Sequence, residues 1–140
     1  MKQAVILSIC GLQTYPGQEP ERVELVTEGY LQQCQDGWEL SYEESGLTGL
    51  EGVTTHFHIS ADKVTLTRTG KLNSKMVFCE GVAHESLYEL EFGALMMRVC
   101  ATKVKSDITA AGGTIDLIYN IEIEQSSAGV IEYHLKIRKK

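Results

Sequence analysis

Apolar and polar residues alternate along nearly the whole chain, and no stretch longer than about ten residues carries the three-to-four spacing of a helix. Turn residues cut the alternation into about ten strands. The predicted strands cover residues 2–10, 21–34, 38–44, 53–59, 63–68, 75–79, 84–91, 94–105, 114–124 and 130–138. Both prolines, Pro16 and Pro20, fall in the first loop. Asp36-Gly37 reads as the positive-φ pair of a tight hairpin. Gly46, Gly49 and Gly52 loosen the loop after the third strand, Ala61-Asp62 makes a short turn, and Gly93 a compact reversal. Ala110 to Gly113 and Ser126 to Gly129 supply the last two turns. Hairpins in series with no crossover helix predict an up-and-down antiparallel meander, and closing it into a barrel removes two exposed edges.

Because side chains on a strand alternate between faces, parity assigns the interior. Inward sets are Trp38, Leu40, Tyr42 and Glu44; Val53, Thr55, Phe57 and Ile59; and Val64, Leu66 and Arg68. Further round lie Tyr88, Leu90 and Phe92; Leu95, Met97 and Val99; Ile115, Leu117, Tyr119, Ile121 and Ile123; and Ile131, Tyr133, Leu135 and Ile137. A barrel of about ten strands encloses more room than one of about eight, so space remains unless large side chains fill it. The rings available are Trp38, Tyr42, Phe57, Tyr88, Phe92, Tyr119 and Tyr133. They either plug the interior or line it.

The 140 residues suit one domain, residues 1–140, and 43% hydrophobic with 23% charged content places the chain in the globular class. A formal net charge of −6 disfavours nucleic acid, and the basic end at Lys136, Arg138, Lys139 and Lys140 is too short to reverse that. The apolar start is shorter than a signal-peptide core and alternates as a strand does. No apolar run approaches the ~18 residues of a membrane helix. Cys10, Cys34, Cys79 and Cys100 form no Cys-x-x-Cys pair, so the expectation is a cytoplasmic protein with free, buried packing thiols.

Several short patterns recur in order: Leu40-Ser41-Tyr42-Glu43-Glu44, Arg68-x-Gly70, Phe78-x-x-Gly81, Tyr88-x-x-x-Phe92-Gly93-x-Leu95, Ser106-Asp107 and Gly113-x-Ile115-x-Leu117-x-Tyr119. Together the set resembles the uncharacterised YwiB-like proteins. The resemblance implies a calycin-type β-barrel related in architecture to lipocalins and fatty-acid-binding proteins. It brings no catalytic residues, and it suggests small-molecule binding by analogy of fold.

Arg68 is the residue with the most chemistry. It ends an inward set, and a guanidinium keeps its charge, so it requires a carboxylate or phosphate partner. Glu44 ends another inward set and is the internal candidate. The alternatives are that Arg68 holds the acidic head of a partly apolar ligand, or that a bulge turns it outward. Tyr42, Tyr88, Tyr119 and Tyr133 place phenols on inward faces, where each needs a hydrogen-bond partner. His56 and His58 share an outward face at a spacing used by some metal sites, but the third ligand would have to come from a neighbouring strand, and no metal or other cofactor is assigned. No Gly-x-Ser-x-Gly, phosphate-cradling glycine loop or His-Glu-x-x-His motif appears, which gives enzymatic function little support.

These readings favour a non-enzymatic barrel that binds a small, partly apolar, anionic and lipid-like ligand through Arg68, Glu44 and the inward tyrosines. The rival is a plugged barrel acting as a homodimer or protein-interaction module. Its contact surface would use the outward apolar residues Val26, Tyr30, Met96 and Ile118.

Overall fold

A computed structural model describes residues 2–44, 51–90, 92–124 and 126–140. Its elements are all strands: β1 (Gln3–Thr14), β2 (Glu21–Cys34), β3 (Gly37–Glu43), β4 (Val53–Ser60) and β5 (Val64–Gly70), then β6 (Ser74–Phe78), β7 (Ala83–Leu90), β8 (Gly93–Thr109), β9 (Gly112–Ile123) and β10 (Ser126–Lys139). They form one ten-stranded antiparallel sheet in the order β6-β5-β4-β3-β2-β1-β10-β9-β8-β7. The expected meander is therefore observed, with β1 and β10 paired from Val5↔Lys139 to Thr14↔Val130.

The barrel is nearly closed. Between β6 and β7 a full ladder is replaced by one two-way bridge, Asn73 N–H to Glu89 O at 2.9 Å and Glu89 N–H to Asn73 O at 2.8 Å. Ser86 Oγ donates to Lys75 O at 2.6 Å, and Gly81 N–H to Ala101 O at 2.9 Å. Register shifts in β8 between Ala101 and Lys103 and in β10 between Ser127 and Gly129 interrupt an otherwise regular ladder. Such bulges sharpen the bend a curved wall needs.

Strand ends differ from the expected ones where tertiary pairing outlasts the local signal. β1 runs to Thr14 and β8 to Thr109, because β2, β10 and β9 are there to pair with them. The residues between Thr109 and Gly112 shrink to a two-residue turn. Gly112 and Gly113, expected in a loop, belong to β9. A Cβ on Gly113 would stand 2.0 Å from Asp107 O, so only glycine allows this approach at its φ of +155°. The turn between β2 and β3 is Gln35-Asp36, not Asp36-Gly37, with Gly37 already paired to Cys34. The last reversal comes at Glu124, φ 51°, before Ser126, which is already in β10. The loop placements of Gly46 and Gly49, the strand end at Glu91 and the inward position of the Leu90 side chain lie outside the described residues.

Parity predicts the interior well, and the barrel is filled unevenly along its axis. At one end Val5, Leu7, Leu31, Leu40, Phe57, Val64, Phe78, Ile115 and Leu117 are each no more than 1% exposed and form a continuous apolar plug. Phe57 is the one predicted ring fully inside this plug; Phe78, not singled out, is the other. Trp38 packs at its margin. Phe92, expected inside, is 87% exposed. It sits in the reversal between β7 and β8, beyond the last paired residues Leu90 and Gly93, where strand alternation no longer applies. The four thiols are free and half-buried, not buried, and Cys10, Cys34 and Cys100 lie on strand positions that face away from the core.

Removing a large plug side chain leaves a void its rigid neighbours cannot fill. Phe57→Ala is expected to lower stability by ~3–5 kcal/mol in urea denaturation, and Phe92→Ala by less than ~0.5 kcal/mol. Comparable losses for the two would contradict the assignment of plug and rim.

Candidate functional site

Beyond the plug the barrel opens into a cavity of about 460 Å³. Its lining comes from the C-terminal parts of β1, β3, β5, β7 and β9 and from the opposed parts of β2, β6, β8 and β10. In an up-and-down meander these segments all meet at the same mouth. Arg68, Glu44, Tyr42, Tyr88, Tyr119 and Tyr133, the residues singled out from the sequence, all line this one cavity. Parity brought each to the inner wall, and antiparallel register brought them to the same end: Tyr42 pairs with Thr55, and Thr55 with Arg68.

The polar groups form a connected cluster over an apolar floor. The Arg68 side chain is 18% exposed and that of Glu44 2%. Arg68 Nε lies 3.8 Å from Glu44 Oε2, close enough for Coulombic attraction and too long for a hydrogen bond. Thr55 Oγ1 donates to the same Glu44 oxygen. Arg68 Nε is buried without a hydrogen-bond partner among the described residues, as is Ser74 Oγ on the paired position of β6. A buried, unsatisfied N–H on a permanently charged group carries a desolvation cost that a bound acceptor would relieve.

Tyr42 and Tyr133 share a hydrogen bond between their hydroxyls at 2.9 Å. The Tyr133 ring leans on Phe57, centroids 5.8 Å apart, and the Tyr119 ring on Phe78 at 4.6 Å, so the phenols stand on the plug. Burial pushes the Tyr42 and Tyr119 hydroxyls up to about 12, and that of Tyr133 well above its ordinary value. The neighbouring Arg68 charge works in the opposite sense at all three and is outweighed by desolvation. These phenols are therefore neutral at physiological pH and keep protons to donate.

The first two strands supply lining that the sequence reading missed, since no inward set was named for them: Ile9, Gly11, Gln13, Glu21, Val23 and Leu25. Gly11 matters most. A Cβ built there meets nothing within 4 Å, so the missing side chain is part of the empty space. The inward parity of Gly11 beside Ile9 was the available signal. Of the two histidines on β4, His56 is exposed, whereas His58 meets groups from the β2–β3 hairpin at the plugged end of the barrel. A more open groove of about 310 Å³ runs over the outer wall past Cys10, Glu24, Val26 and His134, whose Nδ1 is 2.7 Å from Asp116 Oδ1.

Phenols held protonated by folding stabilise the native state in full below pH ~10, and this contribution is lost as pH rises through their native values. Spectroscopic titration of tyrosinate is expected to leave Tyr42, Tyr119 and Tyr133 protonated at pH 11 and to release them, out of six tyrosines, on unfolding. Ionisation of all six in the folded protein would contradict the buried phenol cluster.

Among the described residues no helix is long and apolar enough to cross a membrane. No curated protein matches the sequence. The fold is that of a solved structure, the YwiB protein from Bacillus subtilis, with a TM-score of 0.89 at 21% identity over 99% of this chain and 93% of that one. The model of a domain of unknown function, DUF1934, matches residues 7–137. With that span matched and the YwiB-type barrel observed, the chain belongs to the DUF1934 family.

Proposed function

We propose that this barrel binds a small amphipathic anion, its acidic head at Arg68 and its apolar part along the inner wall. The observation that carries this reading is Arg68, which lines a cavity of about 460 Å³ and whose buried Nε has no hydrogen-bond partner among the described residues. That volume lies within the ~300–1,000 Å³ range of small-molecule sites, and the combination of apolar wall with a few converging polar groups is what such sites use. The neutral phenols of Tyr42, Tyr119 and Tyr133 supply donors near the same charge, and Glu44 balances the buried Arg68 guanidinium. An incoming carboxylate or phosphate would share the Arg68 guanidinium with Glu44. The role is binding, not catalysis. Free thiols fit a reducing compartment, and we place the protein in the cytoplasm on that ground.

A second reading rests on the outer wall, where Val26 and Tyr30, 66% and 54% exposed, lie on the same face of β2. That pair suits a contact with a second copy of the chain, and the two readings are compatible. Concentration-dependent dimerisation in sedimentation, weakened by Val26→Asp, is the expected outcome; a strict monomer at high concentration would exclude it.

Ligand binding is tested by thermal denaturation against a panel of medium- and long-chain fatty acids and alkyl phosphates. At about 100 times its dissociation constant a true ligand adds ~2.7 kcal/mol of stability. Gly11→Leu, which fills empty space at an ordinary backbone conformation, is expected to keep the fold and abolish the shift. Arg68→Gln is expected to weaken acids and spare uncharged analogues. Absence of any shift in the wild type, or an equal shift in Gly11→Leu, would refute the interior site.

A further inference from the structure

At the plugged end of the barrel, on its outer wall, three different metal-ligating side chains converge. Cys34 is the last residue of β2, Asp36 lies in the two-residue turn that follows, and His58 lies near the end of β4. Their ligand atoms all lie within 4.8 Å of one another. Cys34 Sγ donates to Asp36 Oδ1 at 3.5 Å, and His58 Nε2 stands 3.2 Å from Asp36 Oδ2. The other ring nitrogen, His58 Nδ1, faces Glu39 Oε1 at 3.6 Å, across the paired position Glu39↔His58.

We infer that Cys34, Asp36 and His58 form a binding site for a zinc-like divalent metal ion, with Glu39 orienting the imidazole. Around a tetrahedral zinc, metal–ligand lengths of ~2.0–2.3 Å set neighbouring donors roughly 3.3–3.6 Å apart. The 3.5 Å and 3.2 Å separations, each to a different oxygen of Asp36, are close to that spacing, and with all three donors within 4.8 Å of one another a small rotation of the side chains brings them around one ion. The donor set of one thiolate, one imidazole and one carboxylate suits zinc or cobalt, while magnesium and calcium prefer oxygen alone. A carboxylate on the remote nitrogen of a ligating histidine is the usual outer partner of such sites, because it fixes which nitrogen carries the proton. Here Glu39 stands on that side of the ring at 3.6 Å, within Coulombic reach and a short side-chain movement from a hydrogen bond.

The scaffold favours the site. Gly37, between Asp36 and the rest of β3, approaches β4 so closely that a Cβ would stand 1.9 Å from Ile59 O. The turn carrying Asp36 is therefore pinned beside the strand carrying His58. On binding, the Cys34 S–H bond is exchanged for a sulfur–metal bond and its proton leaves to water, with no change of oxidation state. The side chains of His58 and Asp36 are 35% and 64% exposed, which leaves the site open to an entering ion and a fourth position open to water. None of these groups lines the inner cavity, so the inference stands apart from the ligand proposal.

Cobalt(II) added to tag-free, reduced protein is the direct probe. One equivalent is expected to give a thiolate-to-cobalt charge-transfer band in the near ultraviolet and the visible bands of tetrahedral cobalt, both displaced by zinc. Cys34→Ser should remove the charge-transfer band with the fold intact, as judged by circular dichroism. His58→Gln should weaken cobalt at least ~10-fold, and Glu39→Gln, acting through His58, by ~10–100-fold. His56→Gln, exposed on the same strand, should leave binding unchanged. Absence of the charge-transfer band in the wild type would overturn the inference. An equal band in Cys34→Ser would do so as well, since it would place the metal on another thiol. So would an unchanged affinity in His58→Gln, as expected if the cluster is a hydrogen-bonded surface group alone.

Discussion

The structure depends on a steric constraint: ten strands enclose a wider interior than alternate inward side chains of ordinary size can fill. Where the inward residues are Phe57, Phe78 and a ring of leucines, isoleucines and valines, the space closes into a plug sealed from solvent. Where the inward positions hold Gly11, Gln13, Glu21 and Arg68, it stays open. The question of a plugged or hollow barrel therefore has a divided answer along the axis. The plug supplies stability, and the mouth can carry polar groups that would be costly in the middle of a core.

Those polar groups explain one another electrostatically. Arg68 Nε stands 3.8 Å from Glu44 Oε2, within Coulombic reach. Burial raises the phenols of Tyr42, Tyr119 and Tyr133 and so prevents extra negative charge from gathering next to Glu44. The mouth thus holds one cation, the buried carboxylate of Glu44, that of Glu21 on the lining, and neutral donors, and at the buried groups a hydrogen bond counts more than it would in water. The plug holds these side chains from below through the Phe57–Tyr133 and Phe78–Tyr119 contacts, linking core packing to site geometry.

The outer wall follows the same alternation with opposite content. Cys10, Cys34 and Cys100 lie there because their strand partners in parity carry the inward apolar residues. The β2–β3 hairpin then gathers Cys34, Asp36, Glu39 and His58 at the end of the barrel farthest from the mouth. A single tight turn pinned at Gly37 places a sulfur, a carboxylate and an imidazole together, and the two ends of the barrel acquire unlike chemistry.

The alternation and the turn residues by themselves determined the all-β class, the ten-strand meander and the inner face of most strands, since period two and hairpin punctuation are local properties of the chain. Parity also placed Arg68, Glu44 and the inward tyrosines on the inner wall, because each continues an apolar set. Register lay beyond reach from sequence, and register decided that these residues meet at one mouth while the leucines and phenylalanines meet at the other. It also decided that β1 and β8 extend past their local signals, that Phe92 lies out in the reversal between β7 and β8, and that His58 meets Cys34 and Asp36 and leaves its sequence neighbour His56 exposed. The physical reason is common to all of these: alternation says which way a side chain faces, whereas its neighbours along the barrel axis depend on pairing between segments far apart in the chain.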